Sequence, residues 1–466
     1  MIKKNTTFIL FGATGDLSKR KLLPALYQLI AQKKIENILI IGAAFDNATS
    51  ESMINAALPF IKNPDDSILQ KLYSCSYYKK LNFNTYSDFV ALKEFVLECE
   101  QKYNFSQTHR LFYVATASHF FTSITQNSFG SGLLQRTTAQ SAFWHRIIYE
   151  KPFGHDAQSA RAINECIANL IDESQVYRID HYLTKEVVSN IAMIRFTNCV
   201  LEPLWSNRYI DQVQIVLSET LGLEGRGSYY DAYGALKDVV QNHILEILAL
   251  VCMEAPEKLI GDAIRNERVK VLQNVRFIDG ILGQYDGYLN EKDVGEGSHT
   301  ETYAFLKLAV DTLRWRGVPF YIKTGKCLDK KETVIHIKFK QVDCLLLRGC
   351  PTDSNWLTIS IDPESIIQLT LNVKKPLHAD RVVPVAMELT HNKIAGVESS
   401  QAYEVLLLEV LRGEQSISVR FDEIEYAWKL IDHLAAQKLP LYRYEKGSEG
   451  PVEEIQFIQK HGIKKR

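Results

Sequence analysis

A histidine within an apolar helical pattern is the first residue whose chemistry stands out. His243 lies in the predicted helix Ala235 to Met253, with apolar residues four positions before and after it. On such a stripe an imidazole is either a hydrogen-bonded core group or a partly buried general base that titrates near working pH. Asp238 is five positions earlier, about 140° around an α-helix, and is poorly placed to orient the ring. The orienting carboxylate must come from elsewhere, and Asp180 is the candidate.

The segment that follows Asp180 has the residue types of a phosphate site. It contains His181, Tyr182 and Lys185 within five positions. These side chains could place three donors around one phosphate, with the lysine as a point charge. His181 and Lys185 are four residues apart and would share a face of a helical turn. A charged helix start is the simpler interpretation of the same residues.

A third polar segment, Lys323 to Lys331, is basic and follows the run Gly317 to Phe320. It is compatible with a solvated basic turn and with a loop that reaches an anionic substrate. None of the three segments establishes a function singly.

The N-terminus contains a glycine turn of the kind that binds a dinucleotide. The run Gly12-Ala13-Thr14-Gly15-Asp16-Leu17 follows the first apolar strand and opens the first predicted helix. Glycine permits the tight turn, and the N–H groups and partial charge of the helix start favour a pyrophosphate. The spacing is G-x-x-G and also fits an ordinary βα turn. Its position at the first βα junction favours nucleotide binding.

The end of the second predicted strand bears on the choice of coenzyme. It reads Gly42-Ala43-Ala44-Phe45-Asp46. An acidic residue there would bind ribose hydroxyls and repel a 2′-phosphate, which favours NAD, whereas an arginine favours NADP. Asp46 is equally compatible with a loop residue or a helix cap, so both coenzymes stay open.

The elements that carry these segments indicate two domains, 1–180 and 181–466. In the first, continuous apolar strands separated by helices predict a parallel sheet covered on both faces. In the second, alternating polar and apolar residues predict an antiparallel sheet with helices on one face. The predicted strands of the first part are 8–11, 38–41, 110–115 and 144–150, with helices at 17–29, 86–103 and 119–130. Those of the second are 212–217, 333–338, 356–362 and 366–373, with helices at 235–253 and 303–316 and a frayed basic tail at 461–466.

Composition restricts the class of protein. The chain has 466 residues and a net charge of −1, so no global field recruits nucleic acid or anionic membrane. Eight scattered cysteines without a C-x-x-C or Cys/His spacing predict reduced thiols and no metal site; they are Cys75, Cys99, Cys166, Cys199, Cys252, Cys327, Cys344 and Cys350. We therefore expect a cytoplasmic, soluble, metal-independent protein without a signal peptide.

Together the segments resemble the glucose-6-phosphate dehydrogenase family. The runs Asp-His-Tyr-Leu-x-Lys-Glu and Gln-Asn-His are the most specific matches. The matching pieces, in chain order, are 12–17 with Lys19-Arg20-Lys21, 150–154, 178–186, 202–205, 224–227, 238–243, 317–320 and 325–326. The resemblance implies a Rossmann-like coenzyme domain, a larger α+β domain with a mainly antiparallel sheet, and self-association as a dimer or tetramer.

The resemblance also implies a reaction and residue roles. Glucose 6-phosphate would be oxidised at C1 to 6-phosphogluconolactone, with hydride transfer to NADP, as the first step of the oxidative pentose phosphate pathway. His243 resembles the base and Asp180 the carboxylate that orients it. The implied substrate ligands are His181, Tyr182 and Lys185 for the phosphate, Glu219, Asp238 and Lys326 for sugar hydroxyls, Lys331 nearby, and Lys151. The implied coenzyme ligands are Gly12, Thr14, Gly15, Asp16, Leu17, Asp46 and Lys151, whose bond to Pro152 is cis in the family.

The chain departs from the family pattern in three places. Thr184 replaces a glycine beside the phosphate ligands, and a β-branched residue is bulkier and stiffer there. Phe45 followed by Asp46 replaces the arginine of NADP-using relatives, which predicts weaker 2′-phosphate recognition and a shift towards NAD or dual use. Ala115 to Ser118 replaces a proline-containing stretch near the coenzyme cleft. The departures leave two alternatives: another phosphorylated hexose as substrate, or a coenzyme-binding protein without turnover.

Overall fold

The chain forms two compact units in a computed structural model. The N-terminal unit comprises residues 1–184, 260–262 and 400–421, and the C-terminal unit comprises 185–259, 263–399 and 422–466. The structure describes residues 4–105, 108–138, 140–342, 354–377, 382–390 and 402–466, except for the side chain of Glu186. Cys344 and Cys350 lie outside the described residues, and the six other cysteines are free thiols. None of the described helices is long and apolar enough to cross a membrane.

A six-stranded parallel sheet organises the N-terminal unit, as the apolar runs predict. Its strand order is β3-β2-β1-β4-β5-β6. The order reverses at β1, because the chain passes from β3 at one edge to β4 on the other side of β1. The strands are β1 (Thr6–Phe11), β2 (Ile38–Ala44), β3 (Ser76–Lys80), β4 (His109–Val114), β5 (His145–Tyr149) and β6 (Val176–Arg178). The helices are a π-helix (Ser18–Leu22), α1 (Leu23–Ala31), α2 (Ser50–Asn55), α3 (Asp66–Ser74), α4 (Tyr86–Lys102), α5 (Phe121–Gly130), α6 (Ala157–Leu170) and α11 (Ala402–Arg412), with 3-10 turns at 58–60, 118–120 and 173–175.

Two cores cover this sheet, one on each face. Along β1, Phe8 and Leu10 enter one core and Ile9 and Phe11 enter the other, because successive side chains of a strand point to opposite faces. All six residues of β1 are buried. Burial on both faces explains why the strand is a continuous apolar run.

A nine-stranded, mainly antiparallel sheet organises the C-terminal unit, in the order β14-β13-β12-β11-β7-β10-β9-β8-β15. The strands are β7 (Ile210–Ser218), β8 (Val275–Tyr285), β9 (Tyr303–Val310), β10 (Pro319–Gly325), β11 (Glu332–Phe339), β12 (Trp356–Asp362), β13 (Ile366–Lys374), β14 (Val382–Thr390) and β15 (Leu441–Tyr444). The helices are α7 (Glu186–Thr197), α8 (Gly227–Ala235), a π-helix (Leu236–Ile244), α9 (Leu245–Cys252), most of α10 (Gly261–Leu272) and α12 (Phe421–Ala436), and α13 (Glu453–His461), with 3-10 turns at 202–204 and 288–290. The parallel pairs are β7 with β10 and β8 with β15.

The predicted helix from Tyr303 to Arg316 is wrong. Its first eight residues form β9, which pairs with β8 on one side and with β10 on the other. A central strand buried on both faces is a short apolar run, and periodicity alone does not separate such a run from a buried helix. Lys323 to Gly325, predicted as part of a basic turn, likewise belongs to β10.

The predicted frayed tail at 461–466 is also wrong. Ile463 is buried, and the side-chain amides of Gln212 and Gln214 donate to the carbonyl oxygen of Lys464 at 2.8 and 2.7 Å. Lys465 pairs with Glu449 at 2.8 Å. Polar side chains of β7 therefore hold the tail along the sheet, and these partners are about 250 residues away in the sequence, beyond the reach of local pattern analysis.

Candidate active site

The glycine turn lies at the carboxyl end of β1 and has no room for a side chain. Gly12 has φ +81°, and a Cβ there would lie 2.3 Å from the carbonyl oxygen of Ala115. The N–H of Gly12 donates to the carbonyl of Ala43 at 2.8 Å, and that of Gly15 donates to Gly12 at 3.0 Å. Helical conformation begins at Asp16. The tight turn and the helix start are the features that suit a pyrophosphate, so the residues present fit a dinucleotide.

The residues after β2 are fixed to this turn. The Thr14 hydroxyl donates to the Asp46 carboxylate, and the Tyr78 hydroxyl donates to the carbonyl oxygen of Asp46 at 2.8 Å. Phe45 is 43% exposed and packs edge-on against Phe83, with ring centroids 4.5 Å apart. An acidic group therefore occupies the end of β2 with its geometry set by a neighbouring hydroxyl.

Asp16 and Leu17 form the first turn of the helix. The Asp16 carboxylate pairs with Arg20 at 2.7 Å and with Lys19 at 3.2 Å. The hydrogen bond from Arg20 lowers the pKa of Asp16 below its ordinary value. Leu17 packs against the core beside β1.

His181 contacts two residues that the sequence analysis did not assign to the site. Its Nε2 lies 3.3 Å from a carboxylate oxygen of Glu150 and 3.2 Å from the hydroxyl of Tyr403. The Tyr113 hydroxyl donates to the other oxygen of Glu150. Burial lowers the pKa of His181, but the hydrogen bond and charge of Glu150 and the charge of Asp180 outweigh it, so the pKa is raised. A cationic imidazole suits an anionic ligand.

Asp180 is buried at the end of β6. Its carboxylate accepts from the N–H of Tyr182 at 2.8 Å. The Thr184 hydroxyl donates to the carbonyl of His181 at 2.8 Å, so its extra bulk lies against this turn. Lys151 precedes Pro152 through a cis peptide bond, in agreement with the family pattern. Glu150 had one sequence signal, its position at the end of β5, whereas Tyr403 had none because α11 joins the unit from far along the chain.

His243 and Asp238 lie on a π-helix, which changes their predicted relation. Residues five apart in a π-helix are hydrogen-bonded neighbours on successive turns, so these two residues lie on the same side. The earlier placement of Asp238 about 140° away assumed α-helical geometry. Both side chains are buried, and the Tyr229 hydroxyl donates to Asp238 at 3.2 Å. Asp180 belongs to the N-terminal unit and His243 to the C-terminal unit.

One edge of the nine-stranded sheet brings four site residues together. The parallel pairing of β7 and β10 sets Ser218 opposite Gly325, so the next residues, Glu219 and Lys326, are neighbours. Their side chains form an ion pair. Strand β11 starts at the same edge because it is antiparallel to β7, and β12 ends there. Lys331 therefore pairs with Asp362 at 2.9 Å.

Lys185 directly precedes α7, and the charges of Asp362 and Lys331 act on its ammonium group. Burial lowers its pKa, the charge of Asp362 raises it, and the charge of Lys331 lowers it further. The net pKa is below the ordinary value for lysine. Two lysines with one carboxylate leave a net positive charge that an anion would neutralise. No local sequence pattern indicates Asp362 as a partner of these lysines.

Two family models match the chain over nearly its whole length. "Glucose-6-phosphate dehydrogenase, NAD binding domain" matches residues 9–190, and "Glucose-6-phosphate dehydrogenase, C-terminal domain" matches residues 192–466. A relative named glucose-6-phosphate 1-dehydrogenase from Bacillus subtilis is 37% identical over 98% of this chain and 97% of its own. A relative of the same name from Schizosaccharomyces pombe is 35% identical over 99% of this chain and 95% of its own.

Solved structures are similar as well. A glucose-6-phosphate dehydrogenase in complex with its substrate glucose-6-phosphate has a TM-score of 0.92 at 33% identity, covering 100% of this chain and 99% of that one. A glucose-6-phosphate 1-dehydrogenase from Mycobacterium avium has a TM-score of 0.86 at 30% identity, covering 99% of this chain and 98% of that one.

Replacing Glu150 by glutamine should lower the pKa of His181. The substitution removes the carboxylate whose hydrogen bond and charge raise that pKa against the effect of burial. The measurement is a ¹H NMR titration of the His181 C2 proton, assigned by its loss in His181→Asn. Glu165→Gln, at an exposed position on α6, is the matched control and should leave the pKa unchanged. An unchanged pKa in Glu150→Gln would contradict this account of the site.

Proposed function

Because the chain belongs to the glucose-6-phosphate dehydrogenase family, we propose that it oxidises glucose 6-phosphate at C1 to 6-phosphogluconolactone. This is the first step of the oxidative pentose phosphate pathway. The main support is the similarity over the full length of both units to proteins of that name. The bound nicotinamide coenzyme would accept the hydride at C4 of its ring. We also propose that the enzyme works in the cytoplasm and needs no metal.

His243 is the proposed general base in this reaction. A neutral imidazole would take the proton from the C1 hydroxyl as the hydride leaves C1, which avoids a cationic intermediate at that carbon. Asp180 is proposed to orient the ring and to stabilise the imidazolium. The burial of both groups supports these roles, because charges interact more strongly away from water.

The remaining polar residues are proposed ligands of the substrate and coenzyme. The raised pKa of His181 and the positive neighbourhood of Lys185 and Lys331 support phosphate binding by these groups together with Tyr182. Sugar hydroxyls are assigned to Glu219, Lys326 and Asp238, and Lys151 to both substrate and coenzyme. The coenzyme ligands are proposed to be Gly12, Thr14, Gly15, Asp16, Leu17 and Asp46.

The reaction is tested by the initial rate of absorbance change at 340 nm with glucose 6-phosphate and each coenzyme. His243→Ala should lower kcat by about 10²- to 10⁴-fold, because the proton acceptor is removed. His433→Ala, at an exposed position on α12, is the matched control and should retain the rate. An unchanged rate in His243→Ala would reject the mechanism. Equal or better turnover of another sugar phosphate would reject the substrate, and no turnover would favour a binding protein.

We propose that NADP is accepted but that its 2′-phosphate is weakly recognised, so that NAD is used as well. The Asp46 carboxylate would repel a 2′-phosphate and accept from a 2′-hydroxyl, and the nearby aromatic Phe45 offers no charge. A wild-type ratio of kcat/KM that strongly favours NADP would contradict this proposal.

Phe45→Arg should shift the ratio of kcat/KM towards NADP by about tenfold or more, since a guanidinium can pair with the 2′-phosphate. Initial rates over a range of NADP and NAD concentrations give the ratio. Leu97→Arg is the matched control. Leu97 is also 43% exposed, and the substitution adds the same charge to α4 of the same unit. A similar shift in the control would show that the effect is general electrostatics.

Self-association as a dimer or tetramer is proposed to use the outer face of β13 and β14. Strand β14 is an edge of the sheet, and paired residues of the two strands share a face. That face exposes Leu371, Val373, Val385, Met387 and Leu389. An exposed apolar patch with an open strand edge is typical of an interface.

Met387→Glu should convert the assembly to monomers, because it places a charge within this apolar face. Light scattering coupled to gel filtration gives the mass. Glu388→Lys, the next residue on the opposite face of β14, is the control and should leave the mass unchanged. A monomeric wild-type protein, or an unchanged mass in Met387→Glu, would contradict the proposal.

A further inference from the structure

The π-helix that carries Asp238 and His243 begins at a break in the chain. Gly234 has φ 63° and ψ −178°, a conformation that is essentially restricted to glycine. A Cβ at this position would lie 2.4 Å from a carboxylate oxygen of Glu301. The Glu301 side chain therefore occupies the space that a side chain at position 234 would need.

Glu301 supplies acceptors to the first residues after the break. The N–H of Leu236 donates to the Glu301 carboxylate at 3.0 Å, and the N–H of Ala235 donates to its carbonyl oxygen at 2.9 Å. The first N–H groups of a helix have no partner within the helix, so these bonds fix where the helix starts. A carboxylate at this end also interacts favourably with the helix dipole.

The residue that follows Glu301 is hydrogen-bonded to Lys326. The next residue, Thr302, accepts from the backbone N–H of Lys326 at 2.9 Å and donates its own N–H to Gly283 at 2.7 Å. The pair Glu301–Thr302 thus connects the start of the π-helix to the start of the loop at Lys326, and β8 anchors it.

We propose that Glu301 is a positioning residue that sets the helix of His243 and Asp238 against Lys326. The proposal rests on the roles proposed above for these three residues. Glu301 does not touch the reacting atoms in this account; it acts by holding the helix start. A displacement of about 1 Å at a catalytic group can lower a rate by about 10²-fold.

The charge state of Glu301 makes glutamine a close substitute. Burial raises the pKa of Glu301 to about 7, partly offset by the hydrogen bond from Leu236 and the charge of Lys237. The charge of Glu301 also acts on the hydroxyls of Tyr230 and Tyr288, whose pKa values it raises. Near neutral pH the uncharged carboxyl is therefore populated, and a glutamine amide oxygen can accept the same N–H of Leu236.

The test compares three substitutions at position 301 in the full chain. Glu301→Ala removes the acceptor, and Glu301→Asp withdraws it by one methylene. We expect kcat with glucose 6-phosphate to fall about tenfold or more in both, with a smaller change in KM. Glu301→Gln should remain within about threefold of the wild type in kcat. Glu296→Ala, at an exposed position of the loop before β9, is the matched control. If Glu301→Ala does not fold, Glu301→Asp carries the test.

Hydrogen exchange measured by mass spectrometry separates this proposal from the proposed reaction. The peptide that covers residues 234–244 should exchange faster in Glu301→Ala and Glu301→Asp but not in Glu301→Gln or Glu296→Ala. That result supports the positioning role even if the wild-type protein shows no turnover, in which case only the proposed reaction fails. The proposal is overturned if this peptide is unaffected, if kcat of the active wild type is retained in Glu301→Asp, or if Glu301→Gln is as impaired as Glu301→Ala.

Discussion

Ionisable side chains in a protein interior need partners, and this requirement determines most of the candidate site. The free energy of removing a charge from water is recovered only by well-placed opposite charges and hydrogen bonds. Lys326 is buried and pairs with the partly exposed carboxylate of Glu219, and the partly exposed ring of His181 lies against the buried carboxylate of Glu150. Each pair has one buried partner, so salt screens it less than it screens an ion pair at the surface. The ionisable groups therefore have fixed geometry before any ligand binds, which is the condition for recognising an anion without a large ordering cost.

The secondary structure meets this requirement by placing charged residues where strands end. Gly12, Asp46 and Asp180 follow β1, β2 and β6, whose carboxyl ends lie at one edge of a parallel sheet. The mainly antiparallel sheet reaches a similar result through the parallel pairing of β7 with β10. Without that pair, Glu219 and Lys326 would lie at opposite ends of their strands. The departure from the antiparallel pattern at β7 and β10 thus creates the ion pair.

The sequence predicts the framework better than the contacts. Continuous apolar runs identify β1, β2, β4 and β5, and alternation of polar and apolar residues identifies β11 and β12. The reason is that a strand buried on both faces is apolar throughout, whereas a strand buried on one face is apolar at every second residue. The same rule fails at β9, where a central strand of the second sheet is apolar on both faces and resembles a buried helix. Asp16, Asp46 and the segment after Asp180 are identified as candidate site residues from local motifs, and their roles stay predictions. Tyr403, Asp362 and the docked tail at Lys464 are not, since their partners are distant in the sequence and topology alone brings them together.

The π-helix shows how local geometry changes a chemical interpretation. A spacing of five separates Asp238 from His243, and this spacing is unfavourable in an α-helix but places residues on one side of a π-helix. A π-helix is rare and occurs mostly as a short stretch within an α-helix. Gly234 gives the chain the freedom to break before it, and a carboxylate fills the space beside that break. The glycine at the break and the carboxylate of Glu301 thus meet at the start of the π-helix, and the three features are best explained together.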